Sequence, residues 1–105
     1  MTNFLKETEA VMEEENLSAK DIVYIGDGES SCTWEEFRTL ADIEYDSGYG
    51  CAEINMRLMI VFNNGVELQR GEYDGSEWWD VHIPFSLGRL PSQKKLKSVK
   101  YERIW

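Results

Sequence analysis

The fold is decided by residues 54–73, which read INMRLMIVFNNGVELQRGEY. Apolar side chains recur at every second position over residues 54–62, a period that is typical of a β-strand with one buried face. Asn63-Asn64-Gly65 then predicts a hairpin, because a tight primed turn needs positive φ values that Asn and Gly tolerate. Residues 66–73 therefore return as a second, antiparallel strand.

Further strands are predicted on both sides of this hairpin. Asp74-Gly75 is a second turn signal, and residues 77–83 follow it as a strand that Pro84 ends or places at a sheet edge. Upstream, the β-branched run at residues 22–25 predicts a short strand. Residues 97–105 are a candidate for a last strand.

Two helices are predicted before the hairpin. Residues 3–16 carry apolar side chains at helical spacing, with Thr2 or Asn3 as the cap. Thr33 and Glu36 fit a capping box, which predicts a helix that runs to about Ile43. The predicted fold class is therefore α+β, with two helices packed on one face of an antiparallel meander of three to five strands.

The 105 residues are short enough for a single domain, residues 1–105, with a basic C-terminal segment from about residue 86. The net charge is −9, yet residues 1–83 carry −14 and residues 84–105 carry +5. Because residues 1–83 are strongly negative, they repel phosphate, and we expect no direct nucleic-acid binding by this part of the chain. The basic segment is interpreted as a neutralising strap or a solvated surface, with phosphate contact as the alternative.

The predicted compartment is the cytoplasm. No apolar run reaches the roughly 20 residues that span a bilayer, and residues 1–7 do not read as a secretory signal, so no membrane partner is expected. Without export, Cys32 and Cys51 are predicted to be free, partly buried thiols rather than a disulfide.

Two segments of the chain begin Glu-Tyr-Asp and then turn on glycine: residues 44–50 and residues 72–79. Aromatic rings beside carboxylates at turns suit a contact surface, since Tyr and Trp are enriched in interface hot spots. As neighbours on a strand, Trp78 and Trp79 must point to opposite faces, one into the core and one outward. The alternative is that each motif is only a well-made turn. The predicted binding residues are Tyr45, Asp46, Tyr49, Tyr73, Asp74, Glu77, Trp78, Trp79, Glu13, Glu14 and Glu15.

No catalytic, metal or cofactor residues are predicted. His82 is the single histidine, and the two cysteines lack the paired spacing of a zinc site. Asp27-Gly28-Glu29 and residues 74–77 lack the alternating ligands of a calcium loop and are interpreted as solvated turns. An acid/base pair of His82 with a carboxylate needs a partly dry pocket, for which a small meander has little volume.

The chain resembles small acidic proteins of Firmicutes genomes and their phages and mobile elements over roughly residues 20–84. The resemblance rests on residues 33–37, on Tyr-Asp-Ser-Gly-Tyr-Gly at 45–50 and above all on Glu-Tyr-Asp-Gly-Ser-Glu-Trp-Trp at 72–79. In size and charge alone it is also similar to anti-CRISPR inhibitors. The resemblance implies a protein that acts by binding a host protein.

Three functional hypotheses follow. The first is an inhibitor that occupies the basic surface of a host protein, for example a nucleic-acid-binding effector, as a mimic of phosphate. The second is a structural or regulatory domain that self-associates weakly through a strand edge or a Trp patch. The third is a small enzyme, which requires a deep pocket at His82 or at a buried carboxylate pair.

Overall fold

A computed structural model describes residues 2–45, 53–73, 76–82, 94–96 and 99 of the chain. Within these ranges two α-helices alternate with short strands, and a 3-10 turn covers Ala19–Asp21. The elements are β1 (Thr2–Asn3), α1 (Phe4–Glu14), β2 (Ile22–Gly26), β3 (Ser30–Ser31), α2 (Trp34–Leu40), β4 (Glu44–Tyr45), β5 (Met59–Phe62), β6 (Glu67–Tyr73), β7 (Ser76–His82) and β8 (Lys94–Lys95).

The main sheet has the strand order β7-β6-β5-β2-β3-β8. Five of these strands pair antiparallel, and β5, β6 and β7 form a meander of consecutive hairpins. Only β8 pairs in parallel, alongside β3. A separate two-stranded sheet joins β1 to β4. The architecture is α+β, as the hydrophobic periods predict.

The predicted hairpin forms, but its turn differs from the prediction. Gly65 has a φ of 91°, whereas Asn63 and Asn64 have negative φ, so the primed two-residue turn does not form. Instead, the Gly65 amide donates to the Phe62 carbonyl, and the Phe62 amide donates to the Val66 carbonyl. This three-residue loop, with glycine in the left-handed position, is the next most common way to join two strands.

Strand β5 begins five residues later than the first apolar residue of its alternating pattern. The Asn55 side chain accepts from the Arg57 amide, and the Leu58 amide donates to the Asn55 carbonyl. This turn interrupts the strand, so alternation alone overestimates its length. Ile54 and Leu58 are nevertheless fully buried.

Both helices begin where their caps predict. The Asn3 side chain accepts from the Lys6 amide at the start of α1, and the Thr33–Glu36 capping box is complete at the start of α2. Helix α2 ends at Leu40 rather than near Ile43, because the chain turns there into β4. Neither helix among these described residues is long and apolar enough to cross a bilayer.

The core lies between the helices and one face of the sheet, which we call the inner face. Phe4 of α1 is fully buried and its ring contacts those of Phe37, Tyr45 and Trp79 at centroid distances of 5.6–5.9 Å. Leu96 and Val99, from the basic segment, are also part of the core. The predicted last strand over residues 97–105 falls almost wholly outside the described residues.

Candidate binding surfaces and a buried arginine cluster

The structure separates the predicted binding residues into three groups. Tyr73, Trp78 and the run Glu13–Glu15 are exposed at the surface. Tyr45, Glu77 and Trp79 are buried, so the prediction that they belong to a contact surface is corrected: their side chains build the core. Asp46, Tyr49 and Asp74 lie outside the described residues. The distance between Asp46 and Asp74, which would show whether the two Glu-Tyr-Asp motifs are adjacent, therefore also falls outside them.

Strand β7 places its two tryptophans on opposite faces, as predicted. Trp79 is 6% exposed on the inner face, whereas Trp78 is 37% exposed on the outer face. Glu77 shares the inner face with Trp79, because side chains two residues apart on a strand point the same way. The outward tryptophan therefore has Tyr73 as its aromatic neighbour, and Tyr45 is on the far side of the sheet.

Arg70 is the centre of a buried polar cluster that the sequence analysis did not predict. Its guanidinium lies 3.4 Å from the Glu7 carboxylate and 3.6 Å from the Glu77 carboxylate, and the Arg70 and Glu77 side chains are fully buried. It also lies 4.9 Å from the ring centres of Phe4 and Trp79. Arg70 is thus held by two carboxylates and by the faces of aromatic rings, an arrangement that suits a planar cation.

Glu77 is satisfied by backbone amides as well as by Arg70. Its two carboxylate oxygens accept from the amides of Glu53 and Ile54 at 2.8 and 3.0 Å. A buried carboxylate is costly unless it is paired and hydrogen-bonded, and Glu77 meets both conditions. The contact also joins the segment before β5 to strand β7.

Tyr45 connects this cluster to the second sheet. Its hydroxyl donates to the Glu7 carboxylate and accepts from Arg70 at 3.1 Å. Burial, and then the hydrogen bond to Glu7, raises the pKa of Tyr45 far above that of an ordinary tyrosine. Tyr45 therefore remains a neutral hydrogen-bond donor. Its role is structural, since it joins Glu7 and Arg70 within the core.

The geometry of the cluster indicates a structural role. Glu7 and Glu77 are a carboxylate pair, but the Arg70 guanidinium contacts both. Among the described residues, only the Arg70 Nε is a buried polar side-chain atom without a hydrogen-bond partner. An open groove is lined by Leu5, Glu35, Arg38, Thr39 and Asp42, and this lining includes neither His82 nor Glu77.

Helix α1 turns a row of acidic side chains away from the core. Glu9, Glu13 and Glu14 are exposed on the face opposite Phe4, Thr8 and Met12, and Glu15 follows at the C-cap. The last turn of α1 contains no basic residue, so these carboxylates repel each other beside the negative end of the helix dipole. The last turn of the helix therefore carries a local electrostatic cost that no basic side chain of that turn offsets.

The outer face of β6 and β7 carries a second exposed feature. The Trp78 Nε1 donates to the Asp80 carboxylate at 2.7 Å. A Cβ added to Gly71, which pairs with Trp78 across the hairpin, would lie 2.5 Å from that Nε1 and 2.6 Å from the Asp80 Oδ2. The indole therefore lies against the backbone at Gly71, and its position depends on the missing side chain.

Cys32 is a free, half-buried thiol. Burial, with a smaller contribution from Glu36, raises its pKa to about 11, which makes it a poor nucleophile at neutral pH. Cys51 lies outside the described residues.

The turn at Asp27 needs no metal ion. Asp27 accepts from the amides of Glu29 and Ser30 at 2.9 and 2.8 Å, as in a common Asx turn. Partial burial acts to raise the pKa of Asp27, but these amide contacts together with the charge of Arg57 and a hydrogen bond from Asn55 outweigh it, and the pKa is lowered. Among the described residues, no group of three or more His, Cys, Asp or Glu side chains could hold a metal ion.

Comparisons of the chain with protein-family models, with curated proteins and with solved structures found no match in any of the three.

Proposed function

We propose that this chain is a small acidic module that binds the basic surface of a host protein. The observation that carries the proposal is the exposed row Glu9, Glu13 and Glu14 on α1, extended by Glu15 and left without a basic residue in the last turn. A partner's Lys or Arg side chains would relieve that repulsion, so binding and helix stability favour the same contact.

The partner class follows from the charge. With −14 over residues 1–83, the chain has the same sign of charge as a phosphate backbone. A host protein that binds nucleic acid presents the basic groove that such a surface fits, and occupancy of the groove would exclude the nucleic acid. An inhibitor of phage or mobile-element origin is one protein of this kind.

The test begins with a partner captured from host lysate, identified by mass spectrometry and purified. Its affinity for the chain is measured between 50 and 500 mM salt, where charge-driven binding weakens steeply. Reversal of Glu13, Glu14 and Glu15 to Lys should abolish binding. The matched control reverses the exposed Glu29, Glu35 and Glu44, which gives the same net charge and should retain more affinity. A salt-insensitive complex contradicts the proposal.

A second candidate function is self-association through β7. This strand forms one end of the described sheet, pairs there only with β6, and presents Trp78 on the same face as Tyr73 of β6, which is 77% exposed. Unpaired strand edges with apolar side chains are prone to pair with another copy. Light scattering between 10 μM and 1 mM decides this candidate, and a strict monomer over that range contradicts it.

A further inference from the structure

We propose that Tyr73, Trp78 and Asp80 form a binding site for an arginine side chain of the partner; we call these three residues the Trp78 platform. This inference rests on the proposed function, since it names a second contact through which a basic partner is held. The platform lies on the outer face of the sheet, whereas α1 packs on the inner face through Phe4 and Thr8. The two acidic surfaces are therefore distinct and can be tested separately.

Trp78 is 37% exposed to solvent. The Nε1–Cε2 side of its indole lies at Gly71, where a Cβ would come within 2.5 Å of Nε1 and 2.8 Å of Cε2. The hydrogen bond to Asp80 fixes the ring in that orientation. Tyr73 is the diagonal neighbour of Trp78 on the same face, within reach of one bound side chain. Little conformational entropy is therefore lost when a flat cation stacks on the ring.

Charge complementarity identifies the cation. Trp provides the strongest ring face for a cation, and an N–H that donates to a carboxylate makes the ring more electron-rich. Asp80 accepts from Trp78 with Oδ1, and its Oδ2 adds a carboxylate at the ring edge. A guanidinium can stack on the indole and also donate to Asp80, whereas the compact ammonium of Lys matches only one of these contacts well.

The inner face of the same hairpin holds an arginine in this way. There Trp79, Glu77 and Tyr45 surround the Arg70 guanidinium, which lies 4.9 Å from the Trp79 ring centre. On the outer face Trp78, Asp80 and Tyr73 repeat the combination of tryptophan, carboxylate and tyrosine. Within the described residues every cation–π contact is made by Arg70, so that part of the chain supplies no cation to Trp78.

The experiment titrates ¹⁵N-labelled full-length chain with hexa-arginine and, separately, hexa-lysine, and follows the Trp78 indole N–H and the α1 amides by NMR. We expect a saturable shift of the Trp78 signal, with hexa-arginine bound more tightly than hexa-lysine. Asp80→Asn should weaken hexa-arginine binding about two- to fivefold more than Glu13→Gln, the size of one exposed ion pair, although both variants lose one charge. Trp78→Thr should abolish the preference for arginine.

Four results would overturn the platform. One is equal weakening by Asp80→Asn and Glu13→Gln, and another is a hexa-lysine affinity equal to that of hexa-arginine. The third is a Trp78 shift that follows dilution rather than peptide, which assigns the site to a second copy of the chain. Shifts confined to the α1 amides reject the platform but leave the proposed function standing. If peptide binding depends on Trp78 but the complex with the host protein is insensitive to salt, the platform stands and the proposed function is rejected.

Discussion

The Trp79 indole donates to the Thr8 hydroxyl at 2.8 Å, and the Thr8 hydroxyl donates in turn to the Phe4 carbonyl at 2.8 Å. A threonine on the buried face of α1 thus satisfies the single donor of a buried tryptophan on β7. The contact joins residues that are 71 positions apart, and it fixes how the helix lies on the sheet.

Replacement of this hydroxyl tests the contact. Thr8→Val keeps the shape of the side chain but leaves the Trp79 N–H buried without an acceptor, which should lower the free energy of unfolding by about 1–3 kcal/mol. Urea unfolding followed by fluorescence measures the change. Thr8→Ser should recover most of the loss, and Thr39→Val on the exposed side of α2 is the matched control, expected within about 0.5 kcal/mol of wild type. An unchanged Thr8→Val contradicts the role of the contact.

Arg70 should matter more for stability than any exposed cation of the chain. Arg70→Met leaves Glu7 and Glu77 together without their buried counter-charge, so we expect a loss of about 3–5 kcal/mol. Arg38→Met, which breaks an exposed pair with Glu35, should cost less than about 0.5 kcal/mol.

The measurement for this prediction is again urea unfolding, with circular dichroism to confirm the fold. The double variant Arg70→Met with Glu77→Gln removes one of the stranded charges, keeps an oxygen that can accept from the amide of Glu53 or Ile54, and should regain part of the stability. A double variant as unstable as Arg70→Met alone means that the loss comes from packing around the guanidinium rather than from charge.

Gly71→Ala should displace Trp78 without strain in the backbone. The φ of Gly71 is one that any residue adopts, so the new methyl group acts only through its collision with the indole and with Asp80. We expect a large shift of the Trp78 indole N–H signal, weaker hexa-arginine binding and little change in the signal of Trp79. Gly28→Ala is the control for backbone strain, because its φ is 93° and its new Cβ meets no atom within 4 Å. It should strain the backbone without a steric effect on Trp78. An unmoved Trp78 signal in Gly71→Ala contradicts the placement of the indole against Gly71.

The thiol of Cys32 should be almost unreactive until high pH. Its pKa of about 11 lies about two units above the ordinary value of 9.0, so near pH 8 the folded chain should hold roughly 100-fold less thiolate than the unfolded chain. The stabilisation from this raised pKa is present below pH 9.0 and is lost as the pH rises through about 11.

Alkylation by iodoacetamide in a Cys51→Ser background measures this reactivity. The rate should rise toward pH 11 in the folded chain and should increase strongly at pH 8 when urea is added. A Cys32→Ser variant of the same background gives the blank. Rapid alkylation of the folded chain at pH 8 would show that the thiol is not shielded.

The features that the sequence predicts well are those that depend on a few neighbouring residues. The Thr33–Glu36 capping box is one, and the opposite faces of Trp78 and Trp79 are another, because each follows from local geometry. The length of β5 was overestimated because a side-chain turn at Asn55 competes with the ladder.

The arginine cluster was missed because its members are brought together only by the fold. Glu7, Tyr45, Arg70 and Glu77 come from a helix and three strands, and no spacing in the chain relates them. A signal was present nonetheless. Arg70 has the same strand parity as the buried Leu68, and Glu77 has that of Trp79, so both charges could be expected inside with a need to pair.

Because Trp78 and Trp79 are adjacent, tryptophan burial alone does not fix the register in which β7 pairs with β6. The other residues of β7 must fix it. A shift of this strand by one position would turn Trp78 inward and Trp79 outward, and an indole of the same size would still fill the core. The shifted strand would lose three contacts: the packing of Val81 against the core, the ion pair between Glu77 and Arg70, and the hydrogen bond from Trp79 to Thr8. The buried charges thus select one pairing of β7 with β6 from two that tryptophan burial alone would allow.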